Sequence, residues 1–282
     1  MKNLIVFAAA SVLATVCVGA IVGCNSNTAA QVDEQESVQL VEKQAQSPAQ
    51  EKTGGGMAAM EKAAEANKYL FALFRKADDT QTSAMRAVLN GAMEEVADRA
   101  DLVEVDVTAP SEKAIVDKFD LTRAPLPLIL AIAPNGAITG GFPTEVDKQK
   151  LLDAFASPST EKCMKQLQDN RLVFLCVQNG NTKSNDEAMK GVRDFKEDAR
   201  FAHATEIVML DPTDTAEAGF LKDLQVDPKT ETAVTVFLAP PGTPVAMYEG
   251  ATSKDELVTT LQKASSACGP GGACGPGGCA PQ

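Results

Sequence analysis

The sequence predicts an α/β protein built from two tandem copies of one unit, each a central mixed sheet flanked by helices. Two observations predict it. Residues 102–121, LVEVDVTAPSEKAIVDKFDL, align without a gap with residues 207–226, IVMLDPTDTAEAGFLKDLQV, at an offset of 105, and an internal repeat of this length is one domain copied. Within each repeat, short apolar runs alternate with stretches whose apolar residues recur at helical spacing. A chain of 282 residues with 44% apolar side chains is long enough for two such cores.

Each element follows in order. KYLFALF (68–74) and RLVFLCV (171–177) are continuous apolar runs, the pattern of a strand covered on both faces, and each leads through a polar turn into a long helix. The aligned segments come next: a strand ending in Asp106 or Asp211, a Thr-rich turn, and a second helix. A strand-helix-strand unit of this kind is parallel. At an offset of 106, PLILAIAPNGAITGGF (127–142) matches AVTVFLAPPGTPVAMY (233–248); a strand, a Pro-X-Gly turn and a returning strand make a hairpin. EVDKQKLLDAFA and SKDELVTTLQKA close the copies as amphipathic helices, and MAAMEKAAEAN (57–67) and STEKCMKQLQDN (159–170) precede them as leading helices. Each copy reads β-α-β-α-β-β-α, with domain 1 over 57–158 and domain 2 over 159–265.

The segments outside the repeats predict location. Lys2 followed by an apolar stretch from Leu4 to Val22 has the pattern of a signal peptide over residues 1–23. Its end, Ile21-Val22-Gly23-Cys24, resembles the bacterial lipobox, which implies lipidation of Cys24 and a protein exported and anchored to a membrane of a bacterial envelope, facing the periplasm. An uncleaved transmembrane anchor is the alternative, and it holds the protein to a membrane on the same side. Cys17 falls inside the peptide that is removed. Residues 24–56 are rich in Gln, Ser, Glu and Ala, with no aromatic residue, too polar to offset the entropy of ordering. They predict a disordered tether with ends about 30 Å apart, and Gly54 to Gly56 read as its linker to domain 1. The formal net charge of −12 argues against a nucleic-acid partner and against charge-driven binding to anionic lipid. His203 is the only histidine, so any Cys-His or Ser-His mechanism would depend on that residue.

The order of elements, with KAIVDKFDLTRAPLPLILAIAPNGAI leading from a helix through a proline into the hairpin, resembles the thioredoxin-like fold over almost all of residues 57–265. Pro127 best matches that family's cis-proline, with Pro125 as the competitor; Ala233 stands at the corresponding place in copy two. The resemblance implies a Cys-x-x-Cys pair at the start of the first long helix, where the helix terminus lowers a thiol pKa. Those positions hold Asp79-Thr80-Gln81-Thr82 in copy one and Lys183-Ser184-Asn185-Asp186 in copy two, with no cysteine in either. They read as helix caps. Asp79, Thr82 and Pro127 are the candidates to line a ligand groove.

Of the seven cysteines, five remain to be placed. Cys163 falls on a leading helix and Cys176 in an apolar strand; each suits a small buried hydrophobe, and a disulfide between them is open. Cys268, Cys274 and Cys279 lie in the Cys-Gly-Pro tail, residues 266–282, at spacings that are not Cys-x-x-Cys. Three thiolates among glycines suit Cu(I), or Zn(II) with a fourth ligand from elsewhere; a redox exchange or mixed disulfide and a tail without specific role are the other readings. The function expected is a non-catalytic thioredoxin-like binding or scaffold lipoprotein held at the envelope, with a thiol-disulfide exchange protein or a soft-metal binder, each using the tail, as alternatives.

Overall fold

The computed structural model describes residues 55–267. In domain 1, helix α1 (Gly55–Glu65) leads into strand β1 (Tyr69–Arg75), helix α2 (Thr80–Val96), strand β2 (Ala100–Asp106), helix α3 (Lys113–Lys118), the hairpin of β3 (Leu128–Ile132) and β4 (Ile138–Pro143), and the short helix α4 (Lys148–Leu152). Domain 2 repeats the order with α5 (Pro158–Gln168), β5 (Leu172–Val177), α6 (Asn185–Glu197), β6 (Thr205–Leu210), α7 (Ala218–Asp223), β7 (Val234–Ala239), β8 (Thr243–Glu249) and α8 (Lys254–Ala267).

The sheets have the orders β2-β1-β3-β4 and β6-β5-β7-β8. β1 runs parallel to β2, from Tyr69 opposite Ala100 to Arg75 opposite Asp106, and antiparallel to β3; β3 and β4 are antiparallel. β5 to β8 repeat these directions. The chain is two tandem thioredoxin-like domains.

Alternation along the central strands divides each core in two. Tyr69, Phe71 and Leu73 point into the cluster under α2, with Met85 and Leu89, whereas Leu70, Ala72 and Phe74 point into the cluster with Ile115 of α3 and Ala63 of α1. In domain 2, Val173, Leu175 and Val177 meet α5 and α7, while Phe174 and Cys176 meet α6 and α8. The repeat extends to the turns. Asp106 Oδ1 accepts from Thr108 N (2.9 Å) and Oγ1 (2.6 Å), and Asp211 Oδ1 accepts from Thr213 N (2.9 Å) and Oγ1 (2.7 Å). Each carboxylate ties down the residue two ahead, which turns the chain off the strand.

Two sequence expectations are corrected, and one question the sequence left open is answered. Gly55 and Gly56 are not linker but the first residues of α1. Gly56 is buried, its N–H donates to Glu112 Oε2 at 3.0 Å, and a Cβ there would stand 3.0 Å from Ile115; glycine is present because α1 sits directly on α3. Helix α8 runs to Ala267, two residues past the boundary expected at 265. The disulfide between Cys163 and Cys176 is not formed; both are buried free thiols. Cys163 packs with Val173, Leu175 and Val177, and Cys176 with Phe174, so the sheet itself separates them.

Helix α5 belongs to both domains. Cys163 and Leu167 enter the core of domain 2, while Met164 packs against the α2-side core of domain 1. The Gln168 amide pairs with the edge of β4, accepting from Ile138 N (2.9 Å) and donating to Ile138 O (2.7 Å), which occupies backbone groups that an edge strand otherwise leaves open. Tyr69 Oη donates to Glu161 Oε1 (2.5 Å) and accepts from Ala156 N (2.9 Å). The N-terminal end of α5 is fixed to domain 2 by Glu217, only 2% exposed, which accepts from Ser157 Oγ (2.5 Å) and Ser159 N (2.8 Å).

Burial holds the Glu161 carboxyl above its ordinary value of 4.5, and the Glu217 charge adds to this, against the Tyr69 hydrogen bond. The sign follows. A carboxyl raised by folding contributes stability below its unfolded pKa, and that contribution is lost as pH rises through the higher folded value. Glu161→Gln keeps an acceptor for Tyr69 and removes the charge. It is therefore expected to shift Tm upward relative to the parent at pH 8 more than at pH 4, as read by circular dichroism melts. An equal shift at both pH values would sink this account.

Candidate functional site

The end of sheet one where β1 and β2 finish carries the candidate residues. Asp79 follows β1 and caps α2, its Oδ1 accepting from Thr82 N at 2.8 Å. That amide bond is the main cause holding the exposed carboxyl below its ordinary range. Thr82 points the other way: it is 1% exposed and its hydroxyl donates to Ala77 O at 3.0 Å. Thr82 therefore locks the turn from inside and does not face the groove. The peptide bond before Pro127 is cis, and that before Pro125 is not. Pro127 directly precedes Leu128, which lies opposite Phe74, so it stands beside the end of β1 on the side away from β2.

Lateral to these residues lies an ion-pair network. The Arg86 guanidinium grips Glu104 with Nε (2.5 Å) and Nη2 (2.9 Å) and reaches Asp78 (2.6 Å). Arg75 lies 3.5 Å from both Glu104 and Asp106. Arg86 holds the carboxyls of Asp78 and Glu104 below their usual range. These charges offset one another at the strand ends, although Arg75 Nε is buried without a hydrogen-bond partner.

On the other side of the Pro127 segment, a cleft of about 470 Å³ opens between the strand ends and α3. Its walls are Val107, Val116, Leu121, Ala124 and Leu126, with Lys76, Thr108 and Thr122 at the rim. Lys76 comes directly after β1, Val107 directly after β2, and Leu126 directly before Pro127. None of these lining residues stands out in the sequence beyond Leu126, which adjoins the proline; the one signal is that Lys76, Val107 and Thr108 come just past strand ends.

Domain 2 differs at the same place. Ala233 N donates to Lys183 O (2.9 Å), and Lys183 N donates to Glu231 O (2.8 Å), so the chain before α6 is bridged to the chain before β7. Proline has no N–H, and among the described residues no backbone bond joins residues 76–79 to 124–127. The second face is thus crossed by a backbone bridge, one bond of which Pro127 could not make in the first. Ser184 is not the cap its residue type suggests: it stands in the left-handed region, φ 60°, without a side-chain bond to the helix. Thr182 and Asn185 brace this turn instead, with Thr182 Oγ1 donating to Asn185 Oδ1 at 2.7 Å.

The remaining candidates contribute nothing to this face. His203 lies exposed in a 3-10 turn at Ala202–Ala204 of domain 2. Burial pushes the thiols of Cys163 and Cys176 up to about 12. Against an ordinary thiol near 8.5, that lowers the thiolate fraction at pH 8 on the order of a thousandfold. Iodoacetamide in native buffer is therefore expected to leave both unmodified over times that fully alkylate a free cysteine, with full modification in guanidinium; rapid native labelling would contradict their burial. Cys24, Cys268, Cys274 and Cys279 lie outside the described residues, and with them the soft-metal expectation. Among the described residues no cluster of three or more His, Cys, Asp or Glu is placed to hold a metal, and no helix is long and apolar enough to cross a membrane.

No family model matches the chain, and no curated protein does. Solved structures do match. The first two thioredoxin domains of Saccharomyces cerevisiae Eps1p align over 73% of this chain and 95% of theirs, at 10% identity and a TM-score of 0.27. Human ERp44 aligns over 76% of this chain and 56% of its own, at 10% identity and a TM-score of 0.32. The Drosophila thioredoxin Deadhead covers 33% of this chain and 81% of its own, at 15% identity and a TM-score of 0.27. The assignment of fold rests on strand order, direction and connection, independently of these scores.

Proposed function

We propose that this chain is a non-catalytic thioredoxin-like binding or scaffold protein, anchored through Cys24 to a membrane of a bacterial envelope, with domain 1 supplying the binding face. One observation carries the reading. The helix starts where a thioredoxin needs its thiols hold Asp79 to Thr82 and Lys183 to Asp186, and the first of the two faces lacks the backbone bridge that crosses the second and has the α3 cleft beside Pro127. A face without a nucleophile can hold a partner and cannot exchange disulfides with it. The export reading is supported by Lys2, the apolar run after it and the Ile21-Val22-Gly23-Cys24 sequence.

The test is direct. The protein recovered from membranes is expected to reduce insulin no faster than free cysteine at equal thiol concentration, and Cys24→Ser is expected to move it to the soluble fraction. Reduction well above free cysteine that disappears when Cys268, Cys274 and Cys279 are changed to Ser would replace this reading by thiol exchange at the tail.

A further inference from the structure

We infer that the free edge of strand β6 in domain 2 is a self-association surface, and that its occupant is β6 of a second copy of this chain, paired antiparallel across a two-fold axis. This surface is separate from the binding face assigned to domain 1 and uses none of its residues.

The two sheets end in the edge strands β2, β4, β6 and β8. An edge presents unpaired backbone groups, and proteins guard it with charge, proline or a covering element. β2 carries Asp101, Glu104 and Asp106, with Lys68, Arg75 and Arg86 paired to them. β4 is met by the Gln168 amide at Ile138. β8 has Pro244 at the place that Ile138 holds in β4, and proline has no N–H to offer a further strand. β6, Thr-Glu-Ile-Val-Met-Leu, has neither proline nor a covering group of this kind. Where β2 has Glu104, β6 has Met209, 47% exposed. Glu206, the one charged residue of the strand, is already held by Lys196 at 3.0 Å and Arg171 at 3.7 Å.

The ladder decides which backbone groups are open. Gln178 N donates to Leu210 O at 2.9 Å, and along a parallel pair alternate residues bond the neighbouring strand. Glu206, Val208 and Leu210 therefore bond to β5, while the N–H and C=O of Ile207 and Met209 face away from it. Among the described residues no strand pairs with β6 on that side. Each copy of the chain offers this same edge, so a closed pair is isologous and its strands run antiparallel. Side-chain pattern sets the register. With Val208 on the axis, Ile207 of each copy lies opposite Met209 of the other, and Glu206 lies opposite Leu210. With Glu206 on the axis, the two carboxylates would meet, and like charges opposite each other are unfavourable. A β2 edge is a worse match for β6, because it sets Asp101 and Glu104 along a strand that already carries Glu206.

The experiment uses the full chain in detergent micelles with reductant present, and the photoreactive residue p-benzoylphenylalanine in place of Met209. Irradiation is expected to give a covalent dimer on reducing gels, with the new bond at residues 206–208 of a second copy. The same photoreactive residue in place of Leu102, which is exposed on the guarded edge of domain 1, is expected to give at least about tenfold less dimer. Without the photoreactive residue, sedimentation in density-matched detergent is expected to show paired chains for the parent and for Met209→Leu, and single chains for Met209→Lys. Met209 is exposed, so both variants are expected to keep the melting curve of the parent by circular dichroism. A parent that sediments as single chains, a Met209→Lys chain that still pairs, or equal dimer yields from positions 102 and 209 overturns the inference. Cross-links from position 209 that map outside β6 of the second copy overturn it as well.

Discussion

Phe174→Ala is expected to cost domain 2 about 3–5 kcal/mol, a large part of the stability of a domain of this size. Phe174 is fully buried at the middle of β5. Its ring stacks on Phe237 at 4.5 Å and meets Phe195 edge-on at 5.1 Å, and Phe195 in turn stacks on Phe201 at 4.3 Å. Removing the central ring strips contacts from two others at once. The surrounding strands are held in register on both sides, so they cannot collapse into the space. Guanidinium unfolding followed by circular dichroism reads the loss as a lower midpoint with an unchanged slope. A loss under about 1 kcal/mol would mean that the aromatic cluster repacks.

The second large effect concerns a sign. Glycine inside a helix costs about 1 kcal/mol relative to alanine, so propensity alone expects Gly191→Ala to stabilise α6. The structure expects the reverse, by about 2–3 kcal/mol. A Cβ at Gly191 would stand 2.1 Å from Thr252 O and 2.6 Å from Thr252 C. Both atoms are backbone and cannot swing aside. The loop cannot retreat cheaply, because the next residue caps α8: Ser253 Oγ accepts from Glu256 N while Glu256 Oε2 accepts from Ser253 N at 2.9 Å, a reciprocal cap. The aligned position in α2 is Ala87, which is exposed, so alanine is tolerated where no loop crosses the helix. A rise in the midpoint for Gly191→Ala would show that the close approach of α6 and this loop does not exist.

The repeat made most of the fold legible. Period and run length located all eight strands, because buried central strands such as YLFALF are apolar throughout and the hairpins carry Pro-X-Gly turns. The caps were half legible. Asp79 does what its side chain is suited to do, but Ser184 does not, since Thr182 and Asn185 satisfy that turn first. The glycines before α1 misled for a definite reason: glycine marks flexible linkers and also places where another element leaves no room for a side chain, and only the position of Ile115 tells the two apart. The double role of α5 was out of reach. Its periodicity shows one apolar stripe, but Glu161 and Gln168 reach partners 92 and 30 residues away, and local pattern carries no information about such distances. The cleft was hidden likewise, as its lining comes from four separate stretches of chain.

The alanine at 233 has a consequence for how a duplicated molecule acquires polarity. Twin domains joined end to end start with two equivalent mouths, and a ligand has no reason to prefer either. Here two backbone bonds bridge one mouth, and one of them needs the hydrogen that the nitrogen of Ala233 carries and that of Pro127 lacks. The symmetry of the copies is thus broken at this bridge and in the turn before the long helix, while the strand order of both is the same.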